Sequence, residues 1–355
     1  MLEKIKSMLT GLYITLKVWY TFYRRVFKSN LKQNDFKRIS LNLKGFYSKR
    51  THIYDFKKWK HSDFISDLEA IKLSYINDPY RKLLRNKLVF ANYFRNYFRT
   101  PQVYYLIINS SIKSVNPQMK EETFEGFIKL FFEKRKLILK PNLGSRGIGI
   151  YLLELEGEKF LVNKKETTKP ELQKFVSSLT GHIVVEFIEQ CDFTKRIFPM
   201  STNTLRIHTF FDPTLNKVLI KLPYLRMGTS KTAPVDNLAR GGLFSMVDIK
   251  SGILDDAIEV FTTGSIRKIK NHPETKIRVS GSVVPHWDEI KECILNTGSV
   301  ISPLIKIVGW DIVITDDGFI VLEGNNEPDL GQQGMENPLA KDEDILRFLK
   351  HFKIR

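Results

Sequence analysis

Gly309-Trp310-Asp311-Ile312-Val313-Ile314-Thr315-Asp316-Asp317-Gly318-Phe319-Ile320-Val321-Leu322-Glu323-Gly324-Asn325 is the stretch on which the reading of this chain turns. Apolar and polar residues alternate on both sides of Asp316-Asp317-Gly318, the pattern of two β-strands joined by a tight turn. A three-residue loop with Gly318 in the left-handed conformation pairs Thr315 with Phe319. Counting outward from that pair sets Asp311 opposite Glu323. Asn325 follows on the same face, because side chains alternate along a strand. One face of the hairpin then carries Asp311, Glu323 and Asn325 as a compact patch of oxygen ligands. Facing carboxylates repel unless a cation lies between them, and hard oxygen donors with water favour Mg2+ or Mn2+. A two-residue loop would instead set Asp311 against Gly324 and the patch would not form, so the register is a test. An ordinary hairpin with solvent-facing acids is the plain alternative.

Upstream, Leu137-Ile138-Leu139-Lys140-Pro141-Asn142-Leu143-Gly144-Ser145-Arg146-Gly147-Ile148-Gly149-Ile150 reads as an apolar strand ending in a lysine, then a loop with three glycines. Glycines let backbone N–H groups approach an anion, and Lys140, Ser145 and Arg146 can add donors. A glycine-rich hairpin turn explains the loop equally well. Val184-Val185-Glu186-Phe187-Ile188-Glu189-Gln190 is an apolar strand running into acids, whose backbone could bond an adenine edge; a buried strand ending in a polar loop is the commoner case. Asn203-Thr204-Leu205-Arg206-Ile207-His208-Thr209 puts Arg206 on the face shared with Thr204 and His208. Arg206, Arg226 and Arg240 can grip phosphate or carboxylate in a fork, although an isolated arginine is more often an ion-pair partner.

The surrounding chain has 355 residues, 42% hydrophobic and 27% charged, a globular composition that excludes a disordered or collagen-like protein. Its net charge of +17 is uneven: residues 1–100 hold 22 Lys/Arg and 7 Asp/Glu, the remainder 34 and 32. Cys191 and Cys293 stand alone and the seven histidines are scattered, which suggests no disulfide framework or zinc site and fits a reducing, cytoplasmic compartment. Neither GxGxxG nor GxxxxGK[ST] occurs. No recognisable nucleic-acid module accompanies the basic charge, and no nucleic-acid partner is expected.

Ile5, Leu9, Leu12, Leu16, Trp19, Tyr23 and Phe27 recur at helical spacing, flanked by Lys4, Lys6, Arg24, Arg25 and Lys28, so residues 1–30 read as an amphipathic basic helix. Three readings stay open: a helix lying on an anionic membrane surface, a helix packed on its own domain or a twin subunit, and a true anchor, for which the run is slightly short. No small-residue cleavage site follows, which argues against a secretory signal. Residues 31–100 read as a helical cap, with helices over 63–73 and 81–98. From Val103 the texture becomes α+β. Strands are expected at 136–140, 148–155, 182–188, 204–211, 217–224, 243–249, 276–284, 312–315 and 319–323. Helices are expected at 124–134, 170–179, 286–305 and 342–352.

In this order, over roughly Leu84 to Leu339, the motifs resemble the ATP-grasp superfamily, most closely its sugar-transfer-associated branch. The resemblance implies two α+β lobes, residues 101–200 and 201–355, with ATP between antiparallel sheets. Lys140 looks like the lysine on the α- and β-phosphates, and Gly144, Ser145, Arg146, Gly147 and Gly149 like the loop closing over them. Glu186, Phe187 and Ile188 look like the adenine hinge. Asp311, Glu323 and Asn325 look like ligands of one or two Mg2+ ions. The family's earlier nucleotide lysine finds its nearest match in Asn86-Lys87, which departs from the usual Asp-Lys. Catalysis would fall to Lys140, Arg206 and Asn325, with Arg226, Asp236, Asn237 and Arg240 as substrate contacts.

The implied activity is an ADP-forming ligase. A carboxylate attacks the γ-phosphate, and an amine or hydroxyl captures the acylphosphate. The branch suggests polysaccharide (capsule, O-antigen or exopolysaccharide) assembly, with an amino acid or sugar acid as donor and a sugar or glycan as acceptor. A homo-oligomer is compatible with this. Two alternatives are a kinase, whose base would be His208 or Asp236, and a membrane-associated nucleotide-binding scaffold. Residues 1–85, helical and basic, stand where many members have a Rossmann-like domain.

Overall fold

The computed structural model describes residues 2–30, 36–48, 50, 53–144, 147–260, 266–327, 329–334 and 338–355. The N-terminal part is helical: α1 (Leu2–Asn30), α2 (Phe36–Leu43), α3 (Asp67–Leu73), α4 (Lys82–Arg85) and α5 (Lys87–Phe94). Two sequence expectations shorten here. The helix expected from Asp63 begins at Asp67, because Ser66 and Glu69 form a reciprocal capping box. The helix expected over 81–98 breaks at Asn86, whose backbone is extended and whose side chain accepts the Val89 N–H. That break leaves Lys87 in the first turn of α5.

The first sheet comprises β1 (Val103–Ile108), β2 (Ser111–Ser114), β3 (Lys136–Pro141), β4 (Tyr151–Glu156), β5 (Lys159–Val162), β6 (Lys165–Thr167) and β7 (His182–Glu186). Its order is β2-β1-β7-β3-β4-β5-β6, antiparallel throughout. Helices α6 (Phe124–Lys134) and α7 (Lys169–Ser178) cover it, packing Phe127, Phe131, Leu172 and Val176 onto Leu137, Leu139 and Leu153.

After α8 (Asp192–Ile197) comes the second sheet: β8 (Leu205–Asp212), β9 (Lys217–Met227), β10 (Leu243–Met246), β11 (Ala257–Val260) and β12 (Ile266–Ile269), then α9 (Trp287–Ile301), β13 (Ile307–Thr315), β14 (Gly318–Asn325) and α10 (Glu343–His351). The order is β12-β11-β10-β9-β8-β13-β14, again antiparallel. Strict alternation sorts its two faces. Ile207, Trp310 and Ile312 face Ile290 and Ile294 of α9 and Phe90 and Phe94 of α5. Phe210 and Ile307 face Ile345 and Phe348 of α10.

The strand expected over 276–284 does not form. Lys276 and Gly281 both have positive φ and break the extended run, which makes only isolated bridges, Asn271 to Arg278 and Ile253 to Val283. Short strands β5, β6, β11 and β12 lie toward the sheet edges without a strong sequence signature.

The N-terminal helices are built onto the second sheet. Asn77 donates to the Ile307 carbonyl at 2.7 Å and to Asn326 Oδ1 at 3.0 Å, and it accepts the Lys306 N–H at 2.7 Å. Gln333 bonds both backbone groups of Ile65 and the Tyr54 hydroxyl, each at 2.9 Å.

Candidate active site

The hairpin turns through a two-residue loop: Thr315 pairs with Gly318, Ile314 with Phe319 and Ile312 with Val321. The three-residue loop is therefore corrected. Counted without interruption, the observed loop sets Asp311 against Leu322 and not Gly324. A β-bulge between Ile312 and Asp311 absorbs one extra residue, after which Asp311 pairs with Glu323 and Gly309 with Asn325. The polar patch thus forms by a route the turn alone does not specify. Gly324 between its two members is required: a Cβ there would lie 2.8 Å from Leu84 Cδ2 and 3.0 Å from Phe90 Cε2. Its absence lets α4 and α5 close against the hairpin.

That closure brings Lys87 to the patch. Its Nζ donates to the Gly144 carbonyl at 2.9 Å and stands 3.4 Å from Glu323 Oε2. One lysine so links the glycine loop of the first sheet to the acidic hairpin of the second. In the loop, Gly147 and Gly149 both have positive φ, with Gly147 close to Val235 and Gly149 against Pro141. Gly144 and Gly147 line the cleft between the sheets, whereas Gly149 shapes the turn behind it. Ser145 and Arg146 lie outside the described residues.

Lys140, at the end of β3, lies in the floor of this cleft. Burial pulls its ammonium down to about 8, against the favourable field of Glu323 and with the opposition of Lys87. A phosphate must meet it protonated. Affinity for a phosphate-bearing ligand is therefore expected to weaken with pH above about 8, by up to about tenfold per unit, and Lys140→Gln should flatten that profile; a wild-type affinity constant from about pH 7 to 9.5 would contradict it.

The arginines organise the opposite wall. Arg206 and Asp311 form a buried fork, Nε to Oδ1 and Nη2 to Oδ2, the latter at 3.0 Å. Arg226 Nη2 reaches Asp311 Oδ2 at 3.1 Å, and Asn325 Nδ2 donates to the same oxygen at 3.3 Å. Asp311 Oδ2 thus meets three protein donors and Oδ1 one. Arg226 Nε also donates to Thr204 Oγ1 at 2.8 Å and lies 3.4 Å from Asp236 Oδ2. Asp236 accepts the Thr204 N–H at 2.9 Å, and burial pushes its carboxyl above the usual range despite Arg226.

For Mg2+, Glu323 and Asn325 fit: both are hard-oxygen residues lining the cleft, and among the described residues the one ion pair made by Glu323 is to Lys87. Asp311 fits once it yields a guanidinium. Among the described residues no cluster of three or more Asp, Glu, His or Cys forms a ready cage.

Phe187 and Ile188 leave the β7 ladder and line the cleft, with Ile188 packed on Val313 and Ile320 of the hairpin. Glu186 also lines the cleft, its carboxylate accepting the Gln102 N–H at 3.1 Å and standing 3.7 Å from Arg99. Gln190 and Asn203, bonded at 2.9 Å, lock this segment to the start of β8. Asn237 lines the cleft, but Arg240 is exposed and outside its lining. His208 is enclosed, with Nδ1 on the Leu222 carbonyl at 3.2 Å, and burial beside Arg206 takes it down to about 3.

The cleft has a volume of about 1390 Å3. Sequence reasoning missed the part of its wall supplied by the N-terminal helices, where Arg25, Arg50, Tyr54, Arg81 and Arg85 line it. The charge excess of residues 1–100 was the signal, though no motif marked the individual residues.

Two antiparallel sheets closing on one cleft, with lysines and a glycine loop on one and acids on the other, define the ATP-grasp class. The model of the sugar-transfer associated ATP-grasp family matches residues 71–351, and the chain belongs to that family. No curated protein matches the sequence. Among solved structures it is similar to D-alanyl-alanine synthetase A from Vibrio cholerae, at 10% identity over 77% of this chain and 66% of that one, TM-score 0.43. It is also similar to the ATP-grasp ligase PsnB complexed with minimal precursor, Mg and ADP, at 13% identity over 78% and 62%, TM-score 0.38. A third is D-alanine–D-alanine ligase from Bacillus anthracis, at 14% identity over 76% and 66%, TM-score 0.38. The chain spans just under two thirds of the length of these proteins.

Proposed function

We propose that the protein is an ATP-dependent, ADP-forming ligase that joins a carboxylate to an amine or hydroxyl through an acylphosphate, acting in polysaccharide assembly at the cytoplasmic side of a membrane. The observation that carries this reading is the convergence of Lys87, Lys140, Glu323, Asn325 and the Arg206–Arg226 pair on one cleft, with no imidazole or thiol in its lining among the described residues. Lys140 and Lys87 hold the phosphate chain, and the backbone at Phe187 and Ile188 receives the adenine. Glu323 and Asn325, with Asp311, would hold Mg2+. When bound, the ion neutralises charge on the β- and γ-phosphate oxygens. Arg226, Asp236 and Asn237 face the substrate side.

A carboxylate is already ionised at neutral pH and needs no base to attack phosphorus, so alignment and charge neutralisation suffice. The kinase alternative requires a base at a hydroxyl. His208 is enclosed, and Asp236 is committed to Thr204 and Arg226. The test is turnover of Mg-ATP with pooled amino acids and sugar acids in the presence of hydroxylamine. ADP together with a hydroxamate is expected; ADP with a new phosphorylated compound and no hydroxamate would favour phosphotransfer instead.

A further inference from the structure

Helix α1 presents three faces with different duties. Val18, Phe22 and Val26 are buried against Leu68 and Ile71, and Phe22 stacks on Tyr47 with ring centroids 5.3 Å apart. Lys17, Thr21 and Arg25 occupy the next face and line the cleft. Arg25 pairs bidentately with Glu327 at the end of the acidic hairpin, which ties the helix to the second sheet. The helix is thus a fixed part of the body, and its remaining face has a defined orientation.

That third face is apolar and open. At about 100° per residue, Leu12, Tyr13, Leu16, Trp19, Tyr20 and Phe27 fall within one third of the helix circumference, and no charged residue of α1 shares that arc. Leu16 is 62% exposed, Tyr20 66% and Phe27 67%. Trp19 stacks on Tyr23 at 5.6 Å, extending the aromatic surface along the helix. Basic groups border the arc on its cleft side: Arg24 lies 5.9 Å from the Tyr20 ring centroid, and Lys17 5.2 Å from that of Tyr13. Single exposed apolar residues are ordinary, but a contiguous uncharged stripe on a surface helix marks a partner.

Charge selects the partner. Residues 1–100 carry 22 Lys/Arg against 7 Asp/Glu, so a second copy would bring the same positive field against itself. An anionic bilayer complements both features, with Trp and Tyr at the headgroup level and lysine or arginine beside them. No helix among the described residues is long and apolar enough to cross a membrane, so the anchor reading falls away. A helix held flat to the body is suited to lie in the interface.

We propose that α1 docks the protein onto an anionic lipid surface through the Leu12–Leu16–Trp19–Tyr20–Phe27 stripe, so that the adjoining cleft wall of Lys17, Thr21 and Arg25 opens at the membrane. This deepens the proposed reading, which it rests on only for its consequence: a lipid-anchored substrate could enter the cleft without leaving the bilayer. Docking itself is tested without turnover, by flotation of the full chain with vesicles of phosphatidylcholine alone or with one third phosphatidylglycerol. Binding to the anionic vesicles is expected, weaker on phosphatidylcholine and in high salt. The triple variant Leu16→Ser, Tyr20→Ser, Phe27→Ser should lose about tenfold or more in partitioning, with its melting temperature confirming that it folds. Equal flotation of the two proteins, or none by either, would overturn the proposal. So would a wild-type dimer in light scattering that the triple variant abolishes, which would assign the stripe to a second copy.

Discussion

Replacing Asp311 with alanine is expected to lower folding stability by about 3–5 kcal/mol, because it leaves two guanidinium groups in a water-poor site without their shared anion. Asp311 is 4% exposed and Arg206 7% exposed, and Arg226 pairs with the same carboxylate. The field of the two arginines, with Arg206 the larger, outweighs burial and holds the Asp311 carboxyl well below the usual carboxylate range. The contribution is therefore present above the ordinary carboxylate pKa and disappears as pH falls through the depressed folded value, since the unfolded chain takes up the proton first. Denaturant unfolding of the wild type and the variant from pH 7 down to about 2 measures it. A change under about 1 kcal/mol at pH 7 would mean that water reaches the arginines freely. It follows that loss of turnover in an Asp311 variant cannot by itself assign a metal-binding duty to that residue.

Glu323→Gln tests the chemistry more directly and is expected to cut kcat by about 100-fold or more, with a loss of folding stability smaller than that of Asp311→Ala. The Glu323 side chain is 26% exposed and pairs with the largely buried Lys87 at 3.4 Å, so the substitution removes a counter-charge, although glutamine keeps the volume and Lys87 keeps the Gly144 carbonyl. Glu323 also supports the protonated form of Lys140. In the variant, the pH above which ATP affinity weakens should consequently move below about 8. Steady-state turnover, with nucleotide binding measured separately by equilibrium dialysis, checks both effects. Turnover within tenfold of wild type would remove Glu323 from the metal set and with it the main support for the ligase reading.

Much of the site was legible because its chemistry is local. Asp311, Glu323 and Asn325 share a face through strand alternation, and Gly147 and Gly149 take the positive φ that a tight loop demands. The failures have equally local causes. The turn is one residue shorter than read, and only the bulge at Leu322 restores the pairing. The run 276–284 has strand-like composition but contains Lys276 and Gly281 in left-handed conformations. Glu186 lines the cleft, but its partners, Arg99 and the Gln102 N–H, lie 84 or more positions away and could not be read from its strand.

Taken alone, the sequence determined the α+β alternation of strands and helices, the acidic hairpin, the glycine loop after Lys140 and the concentration of positive charge in the first hundred residues. These follow from side-chain periodicity, backbone freedom at glycine and composition, all properties of short segments. Only the tertiary structure decided that Asp311 belongs to Arg206 and Arg226, that Lys87 ties Gly144 to Glu323, and that the N-terminal helices wall the cleft. Arg206 stands 105 positions from Asp311 and Arg25 stands 302 from Glu327, and such pairs become neighbours only when the sheets close and burial makes an unpaired charge costly.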